Sequence, residues 1–229
     1  MEHHYYFLTE IFGAFGLGHF GHEYQHVIHS WFVMLILIIG ALFLVKGIQM
    51  IPRKGQNLLE VVVGELENFM VDITGPEGRA FFPYIATIFL YILVSNLIGL
   101  IPGFFSPTAN YNTTLSMAIC TFVLTHIIGF KFHGGKYIKH FLGPVWAMAP
   151  LMFVIELIGH FARVMSLSVR LFGNIFGKEK VLGIFFALAG LYLAPLPILF
   201  LGILVSLIQA VVFMLLSIVY FAGAMEEAH

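Results

Sequence analysis

The chain has 229 residues, 60% hydrophobic and only 10% charged, with a net charge of −1 and a mean hydropathy of +0.96. Soluble domains carry about 25% charged residues, so the composition excludes a water-soluble globular protein, and the charge balance excludes a nucleic-acid partner. The single Cys120 sits in an apolar run, which leaves no disulfide framework and no cysteine metal site.

Residues 1–29 read as an extracytoplasmic N-terminal segment. They hold no lysine or arginine but six histidines: His3, His4, His19, His22, His26 and His29. Met1 to His4 lack the basic region of a cleaved signal peptide, so the first apolar run is expected to insert and stay. His22 to His26 (HEYQH) match the zincin pattern H-E-x-x-H. On a helix the two histidines would share a face and Glu23 could act as base. A zinc-dependent membrane protease is therefore one functional alternative. No third ligand follows at a recognisable spacing, and an interfacial, water-exposed segment explains the same residues without metal.

Residues 30–229 read as a single membrane domain. The first span is expected over 30–50, followed by a basic exit turn at Ile51 to Gly55. In 57–73, Leu58, Val62, Leu66, Phe69 and Ile73 recur at helical spacing while Glu60, Glu67 and Asp72 are polar. That predicts an amphipathic helix at the membrane surface or against a partner. Gly75 to Arg79 predict a turn. The second span is expected over 81–101, ending at Pro102, and the third over 112–130. A long polar-striped segment covers 146–192, Ala194 to Pro197 turn the chain, and the last helix covers 198–225. The fold class is an all-α polytopic membrane protein with about five passages and one amphipathic helix. Its last two passages (146–225) form a long tilted hairpin.

Lysine and arginine number four in 46–80, three in 131–145 and none in 1–29, 102–111 or 190–197. By the positive-inside rule the N-terminus lies outside and the C-terminus in the cytoplasm. Gly173 to Lys178 are not a phosphate-binding loop, because Glu179 stands where serine or threonine is needed. No cofactor is implied.

Residues 151–194 contain no proline. As one helix they would measure about 66 Å against a hydrocarbon core of about 30 Å, so the segment breaks into two spans or runs obliquely. It carries Glu156, Arg163, Arg170, Lys178, Glu179 and Lys180. Six charges facing lipid would cost roughly 15–20 kcal/mol, so they face protein, water or one another. At about 100° per residue, Arg163, Asn174 and Glu156 fall within about 40° of Arg170, and Glu179 lies about 180° away. Arg170 stays charged at any physiological pH, and a fixed intramembrane cation signals function. A Glu156–Arg163 pair within the helix is the simpler structural explanation, but it leaves Arg170 without an acid. Buried Gln209 needs a partner, and the Arg170 guanidinium is the natural one; a plain helix–helix contact is the alternative. Gly173 and Gly177 have the small-xxx-small spacing that lets a helix approach, from this chain or from another subunit.

Ser166 to Asn174 (SLSVRLFGN), followed by Glu179, resembles the signature of the a subunits of F-type ATP synthases. So do Gln209 to Met214 (QAVVFM), the acidic tail at Glu226 and Glu227, and the loop Pro107 to Met117. The resemblance runs from about residue 56 to the C-terminus. It implies a non-catalytic, proton-translocating subunit of the cell inner membrane, with two half-channels beside a rotating ring of c subunits. Its partners would be that ring, the b subunits of the peripheral stalk, the other synthase subunits and membrane lipid. Arg170 would keep the half-channels apart, flanked by Asn174 and Gln209. Glu179 would line the outer half-channel and Glu156 the inner one, with Ser166 beside it. The resemblance leaves the choice between protons and sodium largely to the ring.

The chain also departs from that pattern. Gly202 stands where many relatives have a histidine, Lys178 precedes Glu179, and Gly99 and Asn110 stand where some relatives have acids. His126 or His160 could compensate, or could simply pack. A stand-alone transporter using Arg170 as an anion site is a further alternative.

Overall fold

A computed structural model describes residues 23–46, 54–137, 149–189 and 195–226. Six long helices account for most of them: α1 Gln25–Lys46, α2 Lys54–Thr74, α3 Phe82–Ile98, α4 Tyr111–His133, α5 Ala149–Ala189 and α6 Pro195–Met225. Five helical segments are long and apolar enough to cross a membrane: Gln25–Leu44, Pro76–Ile98, Tyr111–His133, Pro150–Phe186 and Leu196–Met225. His3, His4, His19, His22, most of the exit turn, the start of the proline turn and Glu227 lie outside the described residues.

Element ends follow local chemistry. Asn110 caps α4 by accepting a hydrogen bond from the Asn112 amide at 2.9 Å, so the helix starts at Tyr111. Gly134, at φ 54°, ends it. The turn expected at Gly75 to Arg79 is instead a 3₁₀ helix, Pro76–Phe81. Gly75 takes φ 75° there, and Pro76 has its φ fixed and no N–H to satisfy. The first span starts at Gln25, five residues before the expected 30.

The long polar-striped segment does not break. It is one helix of 41 residues, about 61 Å long. α6 has 31 residues, about 46 Å. Neither fits upright in a core of about 30 Å, so both must tilt. Lys178 meets Ser206 near one end of the pair and Arg163 lies over Tyr220 near the other, so α5 and α6 run antiparallel.

α6 is the hub, packed against α2, α3, α4 and α5, while α1 lies against α3 and the 107–109 turn. Phe213, Ile218 and Phe221 of α6 are buried with Ile92 of α3 and Leu171 and Ile175 of α5. Lipid is as apolar as these side chains, so their packing stabilises the bundle by van der Waals contact rather than by leaving water. Hydrogen bonds between helices add to it: Tyr84–Thr121 at 2.8 Å, Thr114–Ser168 at 3.2 Å and Ser30–Tyr91 at 2.6 Å. Such bonds contribute about 0.6–2 kcal/mol each. Of the apolar face of α2, Leu66 and Met70 pack on the body, while Val62, Phe69 and Ile73 stay exposed.

Candidate functional site

α5 buries Leu167, Leu171 and Ile175 along one stripe. Arg170 lies about 100° round from Leu171, which puts its side chain off the body of the bundle. Ser166, Arg170, Gly173 and Asn174 are all exposed. The Arg170 Nη2 donates a weak hydrogen bond to Ser166 Oγ at 3.4 Å, one turn back. Among the described residues no carboxylate pairs with it. A Cβ added at Gly173 or Gly177 would meet nothing within 4 Å, so none of the described residues covers those two positions.

Gln209 is not the partner of Arg170. No hydrogen bond joins them, because Gln209 sits on the buried face of α6 beside Ala210 while Arg170 points away from the body. Interpolating between the Lys178–Ser206 and Arg163–Tyr220 contacts puts Gln209 level with Asn174 and Ile175, about one helical turn from Arg170.

Toward the Ala149 end, α4, α5 and α6 border a half-open cavity of about 290 Å³, lined among others by Thr125, Tyr137, Glu156, His160, Arg163 and Tyr220. That is room for about ten waters. Glu156 Oε1 lies 3.4 Å from Nε2 of buried His160, so Glu156 pairs with His160 rather than with Arg163. The Arg163 guanidinium instead lies over the Tyr220 ring, 5.8 Å from its centre. The His126 ring is 4.9 Å from His160. Both histidines thus belong to the Glu156 end, about 28 Å along α5 from Glu179, and cannot compensate there. Burial pushes the phenol of Tyr137 above its ordinary value, with Arg163 opposing and Glu156 adding.

Toward the Ala189 end a second polar cluster joins α3, the 107–109 turn, α5 and α6. Lys178 Nζ donates to the Asn96 carbonyl at 2.9 Å and to Ser206 Oγ at 2.9 Å. Thr108 Oγ1 donates to Asn96 Oδ1 at 2.5 Å, and the Ser106 and Thr108 hydroxyls are 2.9 Å apart. The Glu179 carboxylate faces the Ser106 backbone and Lys178.

The Gly99 departure has a steric reason, and Gly202 is closely packed. A Cβ at Gly99 would stand 2.5 Å from Ser106 Cβ, and one at Gly202 would stand 2.6 Å from Leu100 Cδ2 and 3.5 Å from Lys178 Cδ. An acid at 99 has no room beside Ser106, whereas a side chain at 202 would require the end of Leu100 to turn aside. Asn110, the third departure, is used as a helix cap.

Sequence reasoning passed over Asn96, Ser106, Thr108 and Ser206. Asn96 carried a signal, as an amide near the end of an apolar run; the hydroxyls did not. No group of three or more ligating side chains occurs among the described residues, and His22 of the zincin-like pattern lies outside them.

The sequence profile of the ATP synthase A chain family matches residues 27–222. The chain is 58% identical over 229 residues to ATP synthase subunit a of Desulfosudis oleivorans, covering all of both chains. It is 54% identical over 239 aligned residues to ATP synthase subunit a of Syntrophobacter fumaroxidans, again covering all of both. It is 56% identical over 203 residues to ATP synthase subunit a of Geotalea daltonii, covering 89% of this chain and 88% of that relative.

Proposed function

The chain belongs to the ATP synthase A chain family, and from that premise we propose how it carries protons. It is a multi-pass membrane protein and a channel subunit of the synthase, working with other synthase subunits. We assign it a non-catalytic role, in which the exposed face around Arg170 meets a rotating ring of c subunits, each with one membrane carboxylate. The b subunits of the peripheral stalk hold the chain against that ring.

The observation that carries this assignment is the exposed, unpaired Arg170 on a face with open glycines. In lipid an unpaired cation there would cost about 3 kcal/mol or more, so the face calls for an acidic partner. A carboxylate arriving next to Arg170 is held ionised, and the same fixed charge repels a proton taking the short way through. The Glu179 cluster and the Glu156 cavity lie near opposite ends of α5, as two half-channels require. A proton enters at one, rides the ring as a neutral carboxyl, and leaves by the other. Asn174, Ser166 and Gln209 flank the crossing.

Tagged chain should bring down the ring subunit and b subunits. Gly173→Leu adds bulk only to the open face, so the chain should still insert, but ring recovery and pH-driven ATP synthesis should both fall. Undiminished ring recovery would place the ring on another face.

The domain reading is an extracytoplasmic segment at 1–29 and one membrane domain from 30. With the N-terminus outside and the C-terminus in the cytoplasm of the inner membrane, α5 runs outward. The Glu179 cluster is then the outer path, beside the 99–110 loop, and the Glu156 cavity is the inner path. Gly135 is exposed, and a Cβ there meets nothing within 4 Å. In a Cys120→Ser background, Gly135→Cys should react with an impermeant thiol reagent only from the cytoplasmic side. Reaction only from outside would invert the topology.

A further inference from the structure

The outer cluster has the makings of a metal-cation site. One carboxylate, Glu179, faces the Ser106 backbone, and hydrogen bonds link the oxygens of Ser106, Thr108 and Asn96 and run on to Ser206, all four residues being buried. Hard cations are held by several such oxygens at once. The place, however, is already taken. Lys178 reaches across from α5 and donates to the Asn96 carbonyl and the Ser206 hydroxyl, at 2.9 Å each. Ser206 Oγ in turn donates to the Gly202 carbonyl at 2.7 Å, so it presents a lone pair to the lysine. The lysine stem runs past Gly202, with its Cδ 3.5 Å from where a Cβ would stand. The lysine stem thus packs against the helix surface at Gly202 on its way to its acceptors.

We propose that Lys178 is a tethered cation filling the outer oxygen cluster, so that the path excludes sodium and serves protons alone. This rests on reading the Glu179 end as an ion path. A proton moves by rearranging hydrogen bonds between hydroxyls, water and Glu179, and it need not displace the ammonium. Sodium would need the Asn96 and Ser206 oxygens that the ammonium holds. Specificity would then lie partly in this chain and not in the ring alone.

The test uses the whole synthase in vesicles, with ATP-driven acidification measured as sodium chloride replaces choline chloride at constant ionic strength. Wild type and Lys178→Arg, which keep a cation, should not respond. Lys178→Met and Lys178→Gln should both be inhibited by sodium, by about tenfold once sodium reaches about ten times its dissociation constant. Lys178→Gln retains a hydrogen-bond donor for the Asn96 carbonyl, which guards against loss of assembly. Sodium insensitivity of both uncharged variants would overturn the proposal. So would complete loss of pumping in both without sodium, because a cation that only excludes is not needed for proton passage. Wild-type synthesis driven by a sodium gradient at equal pH would overturn it too. If the wild-type complex made no ATP from a pH gradient, the proton-path reading itself would fail, which is a separate result.

Discussion

Arg170→Ala should abolish ATP synthesis driven by an imposed pH gradient, and the gradient should also decay faster in vesicles holding the variant complex. Two effects of one charge are lost together. An opposite charge close by lowers a carboxyl pKa by about 1–3 units, or about 10–1000-fold in the ratio of ionised to neutral carboxyl. Without it the arriving ring carboxylate no longer ionises on the path between the half-channels. The repulsion that keeps protons from crossing directly goes as well. Arg170 is exposed and bonded only weakly to Ser166, so its removal leaves no buried partner unpaired and the chain should still fold. Arg170→Lys should also fail to synthesise ATP, because lysine lacks the planar fork and can shed its proton when dehydrated. Normal synthesis by Arg170→Ala would refute the role given to this residue.

Glu179→Gln should lower pH-driven synthesis by at least about 100-fold, the low end of what a positioned acid–base group contributes. Glutamine keeps an acceptor for the Ser106 backbone and nearly the same shape, so the complex should assemble. What it cannot do is take up and release a proton. Subunit composition measured beside the rate separates the two effects. A normal rate in an assembled Glu179→Gln complex would show that other groups of the cluster carry the proton.

Much of the fold was legible because its signals are local. An apolar stretch of about 20 residues bounded by glycine, proline or charge implies a span wherever its neighbours lie. The proline-free run of 151–194 announced an over-long helix, and the helical repeat put Arg170 and Asn174 on one stripe with Glu179 opposite. Departures at element ends were small and had local causes. The Asn110 cap and the positive φ of Gly134 lengthened α4, and Pro76 turned an expected turn into 3₁₀ helix.

The assembly of the candidate site was not legible in the same way. Lys178 bonds to a carbonyl 82 residues away and a hydroxyl 28 residues away, and such contacts depend on the height at which tilted helices cross. The same register puts Gln209 a turn away from Arg170, gathers His160 and Glu156 at one cavity, and sets the His126 ring beside His160. The sequence by itself determined which helices form and which face of each is polar, since both follow from the 3.6-residue repeat within one helix. Only the tertiary structure decided which polar faces meet, because in a membrane that choice rests on the close fit of side chains between helices, and that fit leaves no periodic trace in the chain.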